Sequence, residues 1–135
     1  MLCAIPAGQI EAIWPQVEPW LEAVEQHCHG KITVASVREK LAAETAQLWV
    51  WLADGAPIAV ALTEILHFPK CKSCRIWVAT GVDRHVWLRA GLAAIEEWAR
   101  LEGCTLVEPM ARPGWEKELH TLGYRTQHVE LVKEL

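Results

Sequence analysis

Four side chains in this sequence are of the types that bind zinc. Cys71 and Cys74 form a Cys-x-x-Cys pair, and His27 and His29 flank a third cysteine in the stretch HCHG. Thiolate and imidazole are the usual ligands of tetrahedral Zn²⁺, and two such pairs complete a structural site. The cysteines are predicted to lie in a turn between strands and the histidines at a helix end, and nothing in the sequence brings the pairs together. We therefore expect no bound zinc and keep a small zinc-binding interaction module as an alternative.

The eight tryptophans are the second group that suggests a function. Because Trp is large and carries one N–H group, this number implies either a bulky core or aromatic contacts with a partner. Four lie in regular apolar runs and are predicted core residues: Trp49, Trp51, Trp77 and Trp98. Four lie near predicted helix starts or turns, where exposure is easier: Trp14, Trp20, Trp87 and Trp115. If these last four form one patch, they mark an interface with a protein partner, either a second copy or a larger assembly.

Composition and charge limit the other classes of function. The chain has 135 residues, of which 52% are hydrophobic and 22% charged, as expected for one globular domain with a single core. Its formal net charge of −4 leaves no basic stripe, so nucleic-acid binding is disfavoured. Five cysteines without dense spacing favour reduced thiols. The N-terminus does not resemble a signal peptide and no apolar run is long enough for a membrane span, so we expect a soluble cytosolic protein.

Two helices are predicted before residue 45. From Ile10 the apolar residues recur at intervals of three and four, but Pro15 and Pro19 fall inside this pattern. We therefore expect a turn, followed by a helix that begins near Pro19. Thr33 is the expected N-cap of a second helix that runs to about Glu44.

The remaining chain alternates strands and helices. The runs QLWVWLA and PIAVALTEIL are β-prone and are joined by Asp54-Gly55, which predicts an antiparallel hairpin. Both faces of these strands are apolar, so helices are expected on both sides of the sheet. A third strand, RIWVAT, precedes a helix capped by Asp83 and ended by Gly103.

A strand TLVEPMA, a helix GWEKELHTL and a last strand from Tyr124 to Lys133 complete the predicted elements. The predicted order is α-α-β-β-β-α-β-α-β. It describes a single domain of residues 1–135, with a helical N-terminal part over 1–45 and the sheet and core helices over 46–135.

This order, together with EEWARLEG closing the central helix and LHTLGY closing the last, resembles the GNAT superfamily of N-acetyltransferases from about residue 45 to the C-terminus. The resemblance implies an α/β (α+β) fold with a mixed, mainly antiparallel sheet and helices on both faces. It also implies a cofactor site in which acetyl-CoA lies against a splayed central strand. In that family the pyrophosphate binds backbone N–H groups of an Arg/Gln-x-x-Gly-x-Gly/Ala loop at the start of the next helix.

The positions that correspond to this loop depart from the family pattern. Counting back from Trp98, its basic residue and two small residues correspond to Asp83, Val86 and Leu88. An acid repels phosphate and these side chains keep the backbone from approaching it, so we predict a degraded acetyl-CoA site and no cofactor. If acetyl-CoA binds, its candidate contacts are a strand edge and two basic residues: Val78, Ala79, Thr80, Arg84 and His85.

The family's C-terminal signature is altered as well. Family members often carry Asn-x-x-Ala-x-x-x-Tyr-x-x-x-Gly-Phe, in which the tyrosine protonates the departing thiolate. Gly123-Tyr124 matches the end of this motif, but Arg112, Trp115 and Leu119 occupy the earlier positions, so the general acid is absent. His120 is one residue away, which on a helix is a rotation of about 100° and points it elsewhere.

A family-style general base would be a carboxylate on a central strand. Glu64 is the candidate, because it is the only acid within an otherwise apolar run. No second catalytic group is evident to work with it, so we favour the interpretation that Glu64 is a strand-end residue facing solvent.

Within the superfamily, the sequence looks most like small GNAT-like proteins encoded by bacteriophages and prophages. These carry a run of the type Arg-x-Gly-Trp-x-x-x-Leu followed by Gly-Tyr, and residues 112–124 match it. The resemblance implies a non-catalytic virion or accessory protein that acts by binding, in the host cytoplasm or the virion. The alternative is an active acetyl-CoA-dependent N-acetyltransferase with atypical cofactor binding.

Overall fold

The computed structural model describes residues 1–135 and contains five strands, four α-helices and a short 3-10 turn at Ala7–Gln9. The strands are β1 (Leu2–Ile5), β2 (Gln47–Ala53), β3 (Ala56–His67), β4 (Lys72–Gly81) and β5 (Leu106–Pro109). The helices are α1 (Ile10–Glu25), α2 (Val34–Ala42), α3 (Arg84–Leu101) and α4 (Pro113–Thr121). None of these helices combines the length and hydropathy that crossing a membrane requires.

The five strands form one sheet in the order β1-β2-β3-β4-β5. The pairs from β1 to β4 are antiparallel, and β4 and β5 are parallel. This confirms the predicted mixed, mainly antiparallel sheet. The parallel pair is possible because α3 makes the crossover between the two strands.

Helices cover both faces of the sheet, as the apolar strand faces predict. The side chains of Leu48 and Val50 pack with α1 and α2 in one buried cluster, and we call this side the α1/α2 face. Trp49 and Ala61 pack with α3 and α4 in a second buried cluster, on what we call the α3/α4 face. The two clusters are separated by the sheet, because successive strand residues point to opposite sides.

Helix α1 is continuous, and the predicted turn before Pro19 is wrong. Both Pro15 and Pro19 lie inside the helix. Each removes one backbone hydrogen bond, but both are exposed, so the freed carbonyl groups can bind water. The opposite side of α1 buries Trp14 and Val17 against the sheet, and this apolar burial offsets the lost hydrogen bonds.

Helix α2 and the β2–β3 hairpin follow their local sequence signals. The Thr33 hydroxyl accepts a hydrogen bond from the Ser36 N–H at 3.0 Å and caps α2, which ends at Ala42. The turn residues Asp54 and Gly55 have φ values of 51° and 78°, the left-handed conformation that a two-residue hairpin turn requires. Both predictions are confirmed.

The two ends of the chain differ from the predicted order. The sequence did not indicate β1, which is only four residues long and pairs with β2. The predicted last strand from Tyr124 to Lys133 does not form, and residues 125–135 make no backbone hydrogen bond. The eight elements between these ends occur in the predicted order.

Candidate functional site

Strands β4 and β5 separate at a bulge in the middle of β4. The pairing with β5 covers only Ser73 to Ile76. At the next residue, Trp77, the register between β4 and β3 shifts by one, so Trp77 is the extra residue of a β-bulge. From Val78 to Gly81, β4 pairs with β3 on one side and has no strand on the other. The sheet is therefore open beside the second half of β4.

The strand-edge residues proposed for cofactor binding lie along this opening. Val78, Ala79 and Thr80 pair with residues 60–62 of β3. Val78 is buried on the α1/α2 face, and Ala79 packs against the cluster on the α3/α4 face. Their backbone groups on the open side of β4 have no strand partner, so that edge is a potential hydrogen-bonding site.

Helix α3 begins immediately beyond the opening with two unpaired donors. The N-cap residue Asp83 adopts the left-handed conformation, with φ 52° and ψ 53°, and its side chain does not cap the helix. The N–H groups of Arg84 and His85 have no backbone acceptor. Such amides attract an anion, but the exposed Asp83 carboxylate lies at the same helix start and opposes one.

The three residues that differ from the family's phosphate-loop motif lie in different environments. Asp83 and Val86 are exposed at the helix start, where they are able to hinder a phosphate group. Leu88, in contrast, is 3% exposed and packs in the core of the α3/α4 face. The predicted intrusion by Leu88 is therefore not observed, because its side chain points inward from the helix.

Four side chains join the start of α3 to α4, and we call them the α3/α4 bridge: Arg84, Trp87, Trp115 and Glu118. Arg84 Nε lies 2.9 Å from Glu118 Oε2, and the Arg84 guanidinium carbon lies 4.6 Å from the centre of the Trp115 ring. The rings of Trp115 and Trp87 are 6.1 Å apart, and Trp87 Nε1 donates to the Val82 carbonyl at 2.8 Å.

The bridge connects the two sides of the sheet opening. Helix α3 follows β4 directly, and α4 follows β5, so contacts between the helices span the separation of these strands. Arg84 is engaged by a carboxylate and an aromatic face, the two partners that guanidinium prefers. One of its donors is therefore paired with Glu118 in this structure.

The remaining residues of the C-terminal signature lie on different sides of α4. Arg112 is the exposed N-cap residue, and Leu119 is 6% exposed in the core. The His120 ring lies 3.0 Å from Thr126 Oγ1 on the exposed side, as the helical rotation predicts. Tyr124 packs under α3, where its hydroxyl donates to Glu96 Oε1 at 3.1 Å.

Glu64 does not match the solvent-facing strand end that we favoured. It lies inside β3, and its side chain is 18% exposed. Its carboxylate accepts a hydrogen bond from Trp77 Nε1 at 2.8 Å and lies 3.3 Å from Lys40 Nζ of α2. Both of these partners lie on the α1/α2 face, so Glu64 is on the opposite side of the sheet from the α3/α4 bridge.

The four tryptophans of the proposed interface do not form one exposed patch. Trp14 and Trp87 are only 4% and 6% exposed. Trp14 and Trp20 pack on the α1/α2 face, whereas Trp87 and Trp115 pack on the α3/α4 face. These side chains therefore contribute to the two cores, and any interface must be sought elsewhere.

The candidate zinc ligands are not brought together. Cys74 is fully buried in the core of the α3/α4 face, whereas Cys71 lies before β4 and is partly exposed. His29 pairs with Glu134 at 3.2 Å, and His27 is exposed. No group of three or more His, Cys, Asp or Glu side chains is arranged to hold a metal ion.

The buried thiol of Cys74 predicts a loss of stability at alkaline pH. Burial, with a smaller contribution from Cys104, raises the pKa of Cys74 from 9.0 to about 12. Between these values the unfolded thiol ionises while the folded thiol keeps its proton, so the free energy of unfolding falls as pH rises above 9. The loss should reach about 2 kcal/mol near pH 10.5, measured by urea unfolding at a series of pH values.

The matched variants separate this effect from ordinary destabilisation, because the slope with pH is the quantity compared. Cys74→Ala should make the alkaline decline shallower, and Cys71→Ala should leave it as in the wild type. Burial also raises the pKa of Cys104 and Tyr124, so part of the decline should remain. An identical decline in the wild type and Cys74→Ala would contradict the prediction.

Comparison with known proteins identifies similar structures, but it finds no protein with a closely similar sequence. No family model and no curated protein matches the sequence. The structure is similar to a ribosomal-protein-alanine N-acetyltransferase from Brucella melitensis biovar Abortus 2308, with a TM-score of 0.72, 10% identity and coverage of 100% of this chain and 99% of that one. A Trypanosoma brucei acetyltransferase gives a TM-score of 0.71 at 15% identity, with the same coverage.

An aminoglycoside acetyltransferase from an uncultured soil metagenomic sample gives a TM-score of 0.71 at 14% identity, covering 100% of this chain and 95% of that one. The chain has the GNAT fold. The splayed central strand implied by the sequence resemblance corresponds to β4, with the bulge at Trp77 and the opening beyond it. The α3/α4 bridge spans this opening.

One member of the bridge, Glu118, was not identified from the sequence. Glu118 lies three residues after Trp115, a spacing that puts both side chains on the same side of α4. This spacing was available in the sequence, but its partner Arg84 is on another helix. Only the packing of α4 against the start of α3 brings them together.

Proposed function

We propose that this chain is a GNAT-fold protein that acts by binding and does not use acetyl-CoA in the manner of the family. The observation that carries the proposal is the α3/α4 bridge. In it, Arg84 contacts Glu118 and Trp115, and Trp115 packs on Trp87. To admit the cofactor beside β4, these contacts between α3 and α4 would have to separate.

Electrostatics at the helix start supports the same proposal. A diphosphate bound to the N–H groups of Arg84 and His85 would lie near the exposed carboxylate of Asp83. The Arg84 charge that would offset this repulsion is already paired with Glu118 at 2.9 Å. A phosphate group at this site would meet two N–H donors and one arginine, but also two carboxylates. The charges of the side chains cancel or are negative, which is unfavourable for a strongly anionic ligand.

The second candidate function is an N-acetyltransferase with atypical cofactor binding, and the open side of β4 favours it. Residues 78–80 and the first amides of α3 are arranged beside the opening. In this candidate, Arg84 leaves Glu118 and binds phosphate together with His85. Glu64 would then act as general base from the α1/α2 face, after release from Lys40.

Thermal unfolding with and without acetyl-CoA distinguishes the two functions. We expect no change in the melting temperature of the wild-type protein with acetyl-CoA up to millimolar concentration. A cofactor present at about 100 times its dissociation constant would instead stabilise the folded state by about 2.7 kcal/mol. For a domain of this size, that corresponds to a rise of roughly 10 °C.

Two arginine variants make a positive response interpretable. Arg84→Ala removes the charge that the second candidate requires, whereas Arg89→Ala removes an exposed charge from the same helix. A wild-type response that disappears in Arg84→Ala and persists in Arg89→Ala would establish cofactor binding at α3 and overturn the binding-protein proposal. The absence of a response in all three proteins is the result that we expect.

The proposal includes a finer role as a phage-type virion or accessory protein. Its support is the sequence likeness of residues 112–124 to small phage-encoded GNAT-like proteins. A gene position beside capsid and tail genes would favour this role, and a position among metabolic genes would count against it.

A further inference from the structure

Strand β1 forms one edge of the sheet, and its outer side has no strand beside it. The Met1 amino group donates to the Leu52 carbonyl at 3.0 Å, and the Leu52 N–H donates to the Met1 carbonyl at 2.9 Å. Backbone directions alternate along a strand, so the N–H and C=O groups of Leu2 and Ala4 point away from β2. Pro6, which has no N–H, follows β1 and ends this edge.

A groove of about 220 Å³ lies beside the end of β1. The residues that line it carry no charge: Ile5, Gln9, Ala12, Ile13 and Gln16. Ile5 is the last residue of β1 and packs on the α1/α2 face, and the lining residues that follow it lie along one side of α1 at helical spacing. A strand placed beside β1 would direct alternate side chains into this groove.

Strand β1 is complementary to itself in one antiparallel register. Leu2 and Ala4 are both paired only if Leu2 of one copy lies opposite Ala4 of the other. A twofold axis then passes beside Cys3, and each Leu2–Ala4 pair exchanges two backbone hydrogen bonds across it. The four residues of β1 are uncharged, so no like charges oppose this pairing.

The side chains support the same register. Cys3 pairs with Val50, which is buried on the α1/α2 face. Side chains alternate along a strand, so residues 1, 3 and 5 share that face. Met1, which is 77% exposed, would therefore lie opposite Ile5 of the second copy, at the groove. One molecule thus carries both an uncharged groove and an exposed apolar side chain in position to enter the groove of a second copy.

We propose that two copies of this chain join at their β1 edges, in a homodimer whose sheets continue across a twofold axis beside Cys3. Each copy supplies an edge and a groove, and the Met1 side chain of each fills the groove of the other, so the contact is reciprocal. Because the paired edge is short, the dimer should dissociate on dilution. The proposal does not depend on cofactor binding, since β2 and β3 separate β1 from the opening beside β4.

The first test is the molar mass of the full chain, measured by size-exclusion chromatography with light scattering up to the highest soluble concentration. The wild type should be a dimer that dissociates on dilution. Ala4→Pro should be monomeric, because it removes an outward N–H without removing a donor to β2. Its circular dichroism spectrum and cooperative unfolding establish that it is folded.

A charge in the groove tests the second half of the contact. Ala12→Asp should raise the dimer dissociation constant about tenfold or more, since it places a carboxylate against Met1 of the second copy. Ala12 is exposed in one copy, so the fold should not change. Ala23→Asp is the matched control, because Ala23 is also exposed on α1 and the variant adds the same charge away from the groove. It should leave the dissociation constant unchanged.

Cys3 gives a separate measurement beside the axis. Opposite residues of a non-hydrogen-bonded antiparallel pair have Cα atoms about 4.5 Å apart, which a disulfide can span. Diamide, which takes up the two hydrogen atoms of a thiol pair, should therefore link the wild type into a disulfide dimer on non-reducing electrophoresis. Cys3→Ser should not be linked. Cys28→Ser removes another partly exposed thiol and should be linked as the wild type is.

Three results would overturn the proposal. The first is a wild type that is monomeric at all concentrations. The second is a dimer that persists in folded Ala4→Pro, or disulfide dimers that form equally well in Cys3→Ser, since the contact would then use another surface. The third is an equal dissociation constant for Ala12→Asp and Ala23→Asp, which decides the question even if Ala4→Pro does not fold.

Discussion

Replacement of Trp49 by alanine is expected to lower the free energy of unfolding by about 4 kcal/mol, the range found when a buried Trp or Phe is truncated. Trp49 is 5% exposed in the cluster on the α3/α4 face. Its ring packs edge to face on Trp98 at 5.3 Å, and its Nε1 donates to Thr63 Oγ1 at 2.9 Å. The variant loses the packing and leaves the fully buried Thr63 hydroxyl with one fewer partner.

Urea unfolding at neutral pH measures this loss, and two further variants divide it into its parts. Trp49→Phe keeps most of the apolar packing but removes the N–H donor, so it should lose less than the alanine variant. Trp20→Ala deletes the same side chain from a half-exposed position on α1 and should also cost less. If Trp49→Ala lowers the free energy of unfolding no more than Trp20→Ala does, Trp49 is not a central residue of the core on the α3/α4 face.

The features that sequence predicts correctly here depend on neighbouring residues. Thr33 caps α2 through a bond to Ser36, three residues away. The β2–β3 hairpin depends on the backbone conformation of Asp54 and Gly55. Gly103, with φ of 84°, ends α3 as expected. In each case the stabilising interaction lies within one turn of the chain, so a short pattern contains the information.

The features that sequence predicts poorly depend on distant contacts. Pro15 and Pro19 weaken α1 locally, and the helix continues because Trp14 and Val17 are buried against a sheet formed much later in the chain. Strand β1 exists through its pairing with β2, about 45 residues away, and four residues are too few to show an alternating pattern. The segment after Tyr124 has a β-prone sequence, but no ladder forms without a strand beside it.

The candidate site shows the same division. The resemblance implied the splayed strand, and the structure has it at β4. The sequence alone shows that Asp83 and Val86 depart from the loop pattern, because motif positions are identified by their spacing along the chain. The bridge from Arg84 to Glu118 joins residues 34 positions apart and required the packed helices. The bulge at Trp77 likewise depends on the register with β3.

Gly81 lies at the end of β4, close to the start of α3. Its replacement by alanine is expected to lower the free energy of unfolding by about 3 kcal/mol. Gly81 is the last residue of β4 and pairs with Ala59 of β3. A Cβ atom at this position would lie 2.4 Å from the Ile58 carbonyl oxygen and 2.7 Å from the Ala59 Cα. Both are backbone atoms of the central sheet, which cannot rotate away as a side chain can, so the strand end must move.

The same movement should disturb the start of α3, because Val82 donates to the Ile58 carbonyl at 2.9 Å and its own carbonyl accepts from Trp87 Nε1. Chemical unfolding gives the stability, and tryptophan fluorescence of the folded protein reports the environment of Trp87 and Trp115.

Gly91→Ala is the matched control, because the nearest atom to its new Cβ would be Trp51 Cε3, at 4.0 Å. That control should be neutral or stabilising by up to about 1 kcal/mol, since alanine favours helix over glycine. Equal stabilities of the two variants would show that β4 does not approach β3 as closely at Gly81 as this structure has it.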